Sequence, residues 1–186
     1  MKGYIISDKD YQSRIYTRLW ELVTANLTEK EFQIEHREIG RDELAFCKGC
    51  FGCWIKQPGE CTIKDAMAEI NNNFINSDVA VYLSPVIFGQ FSANIKSAVD
   101  RWLPNILPFF ITRCDGSTMH SSRYVTYPKQ IIIGYGEEVS DEDAQLFEDI
   151  TKKHRRNIEV LVFNGNDSDC TSFLNQTKLE RVGGQL

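Results

Sequence analysis

The chain has 186 residues, of which 42% are hydrophobic and 25% are charged, and its formal net charge is −5 at pH 7. This length and composition are typical of one soluble globular domain, expected over residues 1–186. The negative charge and the lack of a long basic run argue against partners such as nucleic acids and anionic membranes. No apolar run approaches the roughly 20 residues of a membrane span, and the N-terminus is unlike a signal peptide.

Short apolar segments alternate with helical patterns along the chain. The expected strands are 2–7, 32–36, 78–83, 130–135 and 158–163. The intervening helices are expected to begin after the N-caps Ser13 and Ser140, near Thr62, and at Ser92. Strands that alternate with helices indicate an α/β fold, a three-layer sandwich around a five-stranded parallel sheet. Because crossovers between parallel strands are right-handed, the leading candidate is a flavodoxin-like fold with strand order 2-1-3-4-5.

The stretch from Ser77 to Leu103 combines a buried strand, a short loop and a helix. Pro85 has no N–H group, so we expect Ser84-Pro85 to end the strand. The loop that follows lies at the carboxyl end of a parallel strand, where open α/β sheets bind ligands. The alternative is an ordinary strand–helix connection without a ligand. At the end of the helix, Asp100 and Arg101 are expected to form a local ion pair.

The connection 105–128 lacks a clean period and is longer than usual for an α/β protein. Such a connection is expected to be functional, to lie in an interface or to cover an active site.

Four of the six cysteines lie in a cysteine-rich insert, residues 44–62, which we call the cysteine segment. Three cysteines at steps of three with a fourth eight residues further on are typical of the ligands of one iron–sulfur cluster. Zinc, a redox pair and free thiols remain alternatives. The clustering favours a reducing cytoplasm over a disulfide scaffold. Cys114 and Cys170 are isolated and are expected to be small buried hydrophobic residues.

Three motifs, in this order and spacing, carry a resemblance to a known family. They are CKGCFGCWIKQPGECTIKDAM, SPVIFGQFSANIKSAVDRWLP and MHSSRYVTYP. Over residues 44–155 the chain resembles the NAD(P)H-dependent FMN reductases, flavodoxin-like oxidoreductases that include the iron–sulfur flavoproteins. The resemblance implies FMN as cofactor, NAD(P)H as co-substrate, and a small acceptor such as a quinone, a nitro compound or a flavin. It also implies a homodimer or homotetramer, and a [4Fe-4S] cluster held by Cys47, Cys50, Cys53 and Cys61.

The resemblance further implies which residues contact the flavin. The loops after the third and fourth strands would border the isoalloxazine ring, through Ser84, Pro85, Val86, Ile87, Phe88, Gly89, Gly134, Tyr135 and Gly136. No catalytic side chain is expected, because the hydride chemistry belongs to the cofactor.

The first loop departs from the family pattern. Its sequence SDKDYQSRIY has no glycine, and the carboxylates of Asp8 and Asp10 would repel a phosphate at the helix N-terminus. Lys9, Gln12 and Ser13 are the expected donors to the phosphate. Two alternative functions remain, the first based on the four cysteines and the second on this departure. One is an electron-transfer protein whose cysteines hold an iron–sulfur cluster or zinc, and the other is a degenerate family member without flavin.

Overall fold

A parallel sheet forms the centre of the structure, a computed structural model that describes residues 1–114, 116–154 and 158–184. The elements in chain order are β1 (Lys2–Asp8), α1 (Arg14–Glu29), β2 (Gln33–Ile39), α2 (Gly52–Ile55), α3 (Met67–Ile75), β3 (Val79–Ile87), β4 (Gln90–Phe91), α4 (Ala93–Asp100), a 3₁₀ turn (Leu103–Asn105), β5 (Ile106–Thr112), β6 (Thr118–Ser122), β7 (Thr126–Tyr127), β8 (Lys129–Tyr135), α5 (Asp141–His154), β9 (Ile158–Phe163), α6 (Asp167–Gln176) and β10 (Val182–Gly183). The parallel strands lie in the order β2-β1-β3-β8-β9. This order confirms the predicted flavodoxin-like arrangement.

Helices cover both faces of the sheet, because alternate side chains of each strand point to opposite sides. On one face, Tyr4 and Ile6 of β1 belong to a buried cluster with residues of α3, α4 and α5. On the other face, Ile5 belongs to a cluster with residues of α1 and α6. The strands β1, β3 and β8 are therefore buried on both sides, as their nearly continuous apolar runs predict.

Three of the four helix starts agree with the sequence, including the N-cap at Ser92 of α4, and one differs. The Ser13 hydroxyl accepts a hydrogen bond from the Tyr16 N–H at 3.3 Å, and the Ser140 hydroxyl accepts one from the Asp143 N–H at 3.1 Å. The expected start near Thr62 is wrong, because α3 begins at Met67. Asp65 accepts a hydrogen bond from the Met67 N–H instead of capping an earlier turn.

The third strand continues past the expected stop at Pro85. It runs to Ile87 and then turns back as β4, which pairs with it in the antiparallel direction. Phe88 and Gly89 form the turn between them, with φ angles of 49° and 69°. Two successive residues with positive φ are the requirement of a tight two-residue hairpin, and glycine meets it without strain. We call residues 84–91 the β3 hairpin.

The connection 105–128 is more regular than its sequence suggests. Its first part is an antiparallel hairpin of β5 and β6, whose register shifts between Ile106 and Phe110. Further along, β7 pairs with β10 near the end of the chain. Phe109 and Phe110 are each 67% exposed on the first hairpin. Within the described residues, none of the helices has the length and apolar character needed to cross a membrane.

Candidate functional site

Three loops of the fold emerge side by side at the carboxyl edge of the sheet. In the strand registers, Ser7 lies opposite Leu83, and Ser84 lies opposite Gly134. The segments that leave β1, β3 and β8 therefore begin at the same level. This edge is where flavodoxin-like sheets bind ligands, and it brings together the three groups of residues that the sequence predicted.

The β3 hairpin is anchored from below and exposed at its tip. The buried Ser84 hydroxyl accepts a hydrogen bond from the Ser92 N–H at 3.1 Å and donates one to the Pro85 carbonyl at 3.0 Å. A Cβ atom at Gly89 would lie 2.6 Å from Leu146 of α5, so the turn packs closely on that helix. Phe88 is 87% exposed. The hairpin is thus a supported apolar surface at the edge of the sheet.

At the end of β8, Gly134 and Tyr135 have structural roles within the protein. A Cβ atom at Gly134 would lie 2.7 Å from Val86 Cγ2 and 2.9 Å from Phe147 Cε1, so glycine allows these side chains to approach. Tyr135 is buried and donates a hydrogen bond from its hydroxyl to the Tyr11 carbonyl at 3.1 Å. Burial raises the pKa of Tyr135 well above its ordinary range. Its ring therefore joins β8 to the first loop.

Asp8 lies at the start of the first loop and is fully buried. Its carboxylate accepts hydrogen bonds from the Ser92 hydroxyl, from Asn94 Nδ2 at 3.0 Å and from the Asp10 N–H at 2.9 Å. Ser92 is the N-cap of α4. The carboxylate therefore satisfies polar groups where β1 meets the N-terminus of α4, the end of a helix that favours negative charge.

Asp10 continues this network at the surface. Its carboxylate accepts hydrogen bonds from Asn94 Nδ2 at 3.0 Å and from the Arg41 N–H at 2.8 Å. The bond from Asn94 is the main reason that the pKa of Asp10 is lowered. The first loop thus carries two carboxylates whose hydrogen bonds occupy the donors around it.

The three expected phosphate donors also have partners within the protein. Lys9 pairs with Glu43 at 3.2 Å. Gln12 donates to the Asp8 carbonyl at 3.0 Å and to Glu38 at 3.2 Å. Ser13 is engaged as the N-cap of α1. A phosphate would have to displace these contacts and lie beside two carboxylates, so the first loop does not fit the phosphate of FMN.

An open cleft of about 890 Å³ lies between the first loop and the cysteine segment. Asp10, Tyr11 and Asn94 line one side of it, and the other side is lined by the start of the cysteine segment and by the residues that flank the segment. The cleft is lined by charges of both signs. Arg41 and Lys64 are positive, and Asp42 and Glu43 are negative. No sequence pattern pointed to it, because its walls come from segments far apart in the chain.

The thiols of Cys47, Cys50 and Cys61 all lie close enough to Cys53 to act on it electrostatically. Cys47 and Cys50 are exposed, Cys61 is half-buried and Cys53 is buried. Burial is the main cause that raises the pKa of Cys53, and the neighbouring thiols of Cys61, Cys47 and Cys50 add to it. Among the described residues, no three His, Cys, Asp or Glu side chains are arranged as they stand to hold a metal ion. The donor set itself, four thiols within one short segment, is the one that iron–sulfur clusters take.

Trp54 fixes the middle of the cysteine segment to the rest of the protein. Its indole N–H lies 3.1 Å from the Leu103 carbonyl and 3.0 Å from the Ile106 carbonyl. The ring also stacks on Phe51 at a centroid distance of 5.3 Å. Residues after α4 therefore hold α2 in place.

Arg101 forms an ion pair that the sequence did not predict. Asp100 pairs with Lys96 on the surface, whereas the Arg101 guanidinium pairs with Asp65 in the cysteine-segment region. The expected Asp100–Arg101 pair is therefore wrong, since the two side chains leave the helix in different directions.

Cys114 is exposed and differs from the expectation of burial, whereas Cys170 is buried as expected.

Comparisons with known proteins bear on the family and the fold. The sequence model of the family described as NADPH-dependent FMN reductase matches residues 1–109. An iron-sulfur flavoprotein from Archaeoglobus fulgidus is 33% identical over 94 residues, a segment that covers 49% of this chain and 42% of that relative. The chain thus aligns with less than half of the length of this curated relative.

Solved structures show the same fold at low sequence identity. An NAD(P)H:quinone oxidoreductase from Methanothermobacter marburgensis is 15% identical, with a TM-score of 0.64 over 95% of this chain and 92% of that one. An azoreductase from Bacillus anthracis is 13% identical, with a TM-score of 0.57 over 94% of both chains. The family model covers more than half of the sequence and confirms the resemblance carried by its motifs, so the chain belongs to the NADPH-dependent FMN reductase family.

Proposed function

We propose that the protein is an FMN-dependent oxidoreductase that takes electrons from NAD(P)H and passes them to a small acceptor. The proposed acceptors are quinones, nitro compounds and free flavins. The observation that carries the proposal is the family match over residues 1–109. The convergence of the β1, β3 and β8 loops at one edge of the sheet supports it. The flavin supplies the hydride chemistry when it is bound.

The β3 hairpin is the proposed platform for the isoalloxazine ring. Val86 and Ile87 are half-buried and Phe88 is exposed, so their apolar side chains are available to a planar ligand. Gly136, at the end of β8, is also partly open. The other expected contact residues are buried and would support this surface from within the protein. They are Ser84, Pro85, Gly89, Gly134 and Tyr135. Apolar contact on such a surface also excludes water from the ring.

The first loop does not contribute a phosphate site to this proposal. Asp8 and Asp10 occupy the donors there, and Lys9, Gln12 and Ser13 already have partners. We therefore propose that the flavin is recognised mainly through its ring. A flavin without a phosphate would then bind about as well as FMN.

A flavin-binding experiment tests this function. The purified protein would be incubated with FMN, separated from free ligand and scanned from about 300 to 600 nm, where oxidised flavin absorbs. Bound flavin that NADH or NADPH bleaches without oxygen is the expected result. No bound flavin at micromolar FMN would rule out this function.

A matched pair of variants locates the ring. Phe88→Asn removes the exposed aromatic ring but suits the positive φ of the turn, since asparagine tolerates that conformation. We expect it to weaken flavin binding. Phe109→Ser removes another exposed phenylalanine, from the β5–β6 hairpin, and should leave flavin binding unchanged.

The cysteine segment favours a second redox group. The spacing of the four cysteines in one segment, and the electrostatic effect of Cys47, Cys50 and Cys61 on Cys53, support the proposal that they hold one [4Fe-4S] cluster, with zinc as the competing metal. With such a group, the protein would exchange electrons with a protein partner even without nicotinamide turnover. Anaerobic purification followed by iron, sulfide and zinc analysis distinguishes these cases. Cys61→Ser should lose the metal and Cys114→Ser should retain it, whereas sub-stoichiometric metal in the wild type would argue against the proposal.

Assembly and location complete the proposal. The exposed Phe109 and Phe110 of the β5–β6 hairpin support a homodimer or homotetramer, since large exposed apolar groups often mark interfaces. The six cysteines, all within the described residues, are free thiols. Free thiols are typical of a reducing compartment, so we propose a cytoplasmic protein.

A further inference from the structure

Arg101 is a buried cation that contacts the cysteine segment at Ala45 and Cys61 and pairs with Asp65, three residues beyond it. It ends α4, and its side chain is 1% exposed. The terminal nitrogen Nη1 donates to the Asp65 carboxylate. It also donates to the Ala45 carbonyl at a distance of 3.1 Å. The other donates to the second Asp65 oxygen at 2.8 Å and lies 3.3 Å from Cys61 Sγ. The guanidinium therefore joins both ends of the cysteine segment to the helix that follows the β3 hairpin.

Burial of this charge requires such a set of partners. A buried guanidinium is costly unless an opposite charge and further acceptors surround it. Asp65 supplies the opposite charge in a bidentate ion pair, in which two guanidinium nitrogens bind two carboxylate oxygens. Arginine is suited to this geometry and lysine is not. Asp65 also accepts hydrogen bonds from the Ala45 N–H at 3.0 Å and the Met67 N–H at 3.1 Å.

The backbone of Arg101 is held from the opposite side. Asn71 of α3 donates from Nδ2 to the Arg101 carbonyl at 3.2 Å. Asn105 in turn donates to Asn71 Oδ1 at 2.8 Å. Asn71 and Asn105 are both buried. The position of the guanidinium is therefore set from its main chain as well as from Asp65.

We propose that Arg101 is the positioning residue of the cysteine segment. It holds Cys61 toward the protein and directs an N–H group at its sulfur. Pairing with Asp65 alone would explain a structural role, but the contact with Cys61 Sγ adds a donor at a sulfur of the site. Hydrogen bonds to ligand sulfurs raise the reduction potential of iron–sulfur groups. The part of this inference that concerns a bound metal rests on the proposed cysteine-site function.

The first test measures the reactivity of Cys61 in metal-free protein. Wild type, Arg101→Lys and the control Lys96→Met would be treated with iodoacetamide, and the labelling rate of each cysteine followed by mass spectrometry. Lys96 forms an exposed ion pair on the same helix, away from the cysteines. We expect Arg101→Lys to speed the labelling of Cys61 by about tenfold or more, because the half-buried thiol is no longer held against the protein, whereas lysine keeps a positive charge near it. Labelling of Cys170 should stay slow, as it does in a folded core.

Two outcomes would overturn the inference. One is an unchanged Cys61 labelling rate in Arg101→Lys, and the other is an equal increase in Lys96→Met. If Arg101→Lys does not fold, Asp65→Asn decides the question, because it keeps the shape of the side chain but weakens the hold on Arg101. An intermediate labelling rate of Cys61 in Asp65→Asn supports the inference, and a wild-type rate contradicts it.

The second test measures a property that a purely structural role would not change. In anaerobically purified protein that retains its metal, a redox titration of Arg101→Lys should give a lower reduction potential than the wild type. An unchanged potential would contradict the donor role of Arg101. Absence of metal in the wild type would remove the proposed cysteine-site function, while the labelling experiment would still decide whether Arg101 positions Cys61.

Discussion

Asn94 donates hydrogen bonds from Nδ2 to Asp8 and to Asp10, each at 3.0 Å, and so ties both carboxylates of the first loop to the start of α4. Elsewhere in proteins, a helix N-terminus commonly binds a phosphate. Here the protein's own side chains supply the negative charge. The loop is closed by internal hydrogen bonds, and this closure is the reason that the flavin ring carries the proposed recognition.

Removal of one of these charges should favour FMN selectively. We expect Asp10→Asn to tighten FMN binding by about fivefold, because it removes one exposed negative charge that would lie beside the phosphate. Riboflavin lacks the phosphate, so its affinity should stay the same. Fluorescence titration of both flavins would measure the effect, with Asp149→Asn, an exposed acidic residue on α5, as the control for net charge. A parallel gain in riboflavin affinity would contradict the explanation.

The buried Asp65–Arg101 ion pair should make the free energy of unfolding depend on pH. Burial alone would raise the pKa of Asp65, but hydrogen bonds from Arg101, Ala45 and Met67 outweigh it and lower the pKa below the ordinary 3.8. A lowered native-state pKa adds stability above the ordinary value, and that stability is lost as the pH falls through the native value. The free energy of unfolding should therefore decline below pH 3.8, and this part of the decline should be absent in Asp65→Asn.

At neutral pH, Asp65→Asn should itself be costly. Breaking a buried pair leaves the guanidinium uncompensated, which destabilises proteins by about 3 kcal/mol or more. Urea unfolding of Asp65→Asn and Asp100→Asn would compare the two acids, because Asp100 belongs to an exposed pair and should contribute less than about 1 kcal/mol. Equal losses in the two variants would show that the buried pair has no special role.

Gly134 should tolerate a methyl group poorly. A Cβ atom there would meet Val86 and Phe147 at 2.7 and 2.9 Å, so we expect Gly134→Ala to lower the free energy of unfolding by about 1–3 kcal/mol. Gly3 is the matched control, since a Cβ atom there would make ordinary contacts at 3.5 Å or more. Urea denaturation measures both variants, and a wild-type value for Gly134→Ala would contradict the close packing.

The β5–β6 hairpin should control assembly. Phe109→Ser together with Phe110→Ser removes two side chains that are exposed in the single chain. We expect the double variant to shift toward monomer by light scattering at a fixed protein concentration. Phe46→Ser removes an exposed phenylalanine near the cleft instead and should leave the assembly as it is. A monomeric wild type would exclude this proposal.

Local patterns were enough to predict the architecture. Four of the five core strands are short, mainly apolar runs, whereas β2 at the edge of the sheet is mainly polar. The burial of β1, β3 and β8 on both faces explains why their runs are nearly continuous. Ser13 and Ser140 cap their helices because the capping groups lie within one turn of each other along the chain. The strand order followed from the handedness of crossovers, a rule that needs only the succession of elements.

Contacts between distant segments could not be read in the same way. Ser92 binds Asp8 across 84 positions, and Arg101 binds Asp65 across 36. Periodicity reports which face of an element is buried, but not which side chain of another element will meet it. All three unpredicted features depend on such contacts. They are the internal hydrogen bonds of the first loop, the late start of α3 and the contact between Arg101 and Cys61. They arise only when the sheet brings the loops of β1, β3 and β8 to one edge, because charge and hydrogen bonding act over a few ångströms in space.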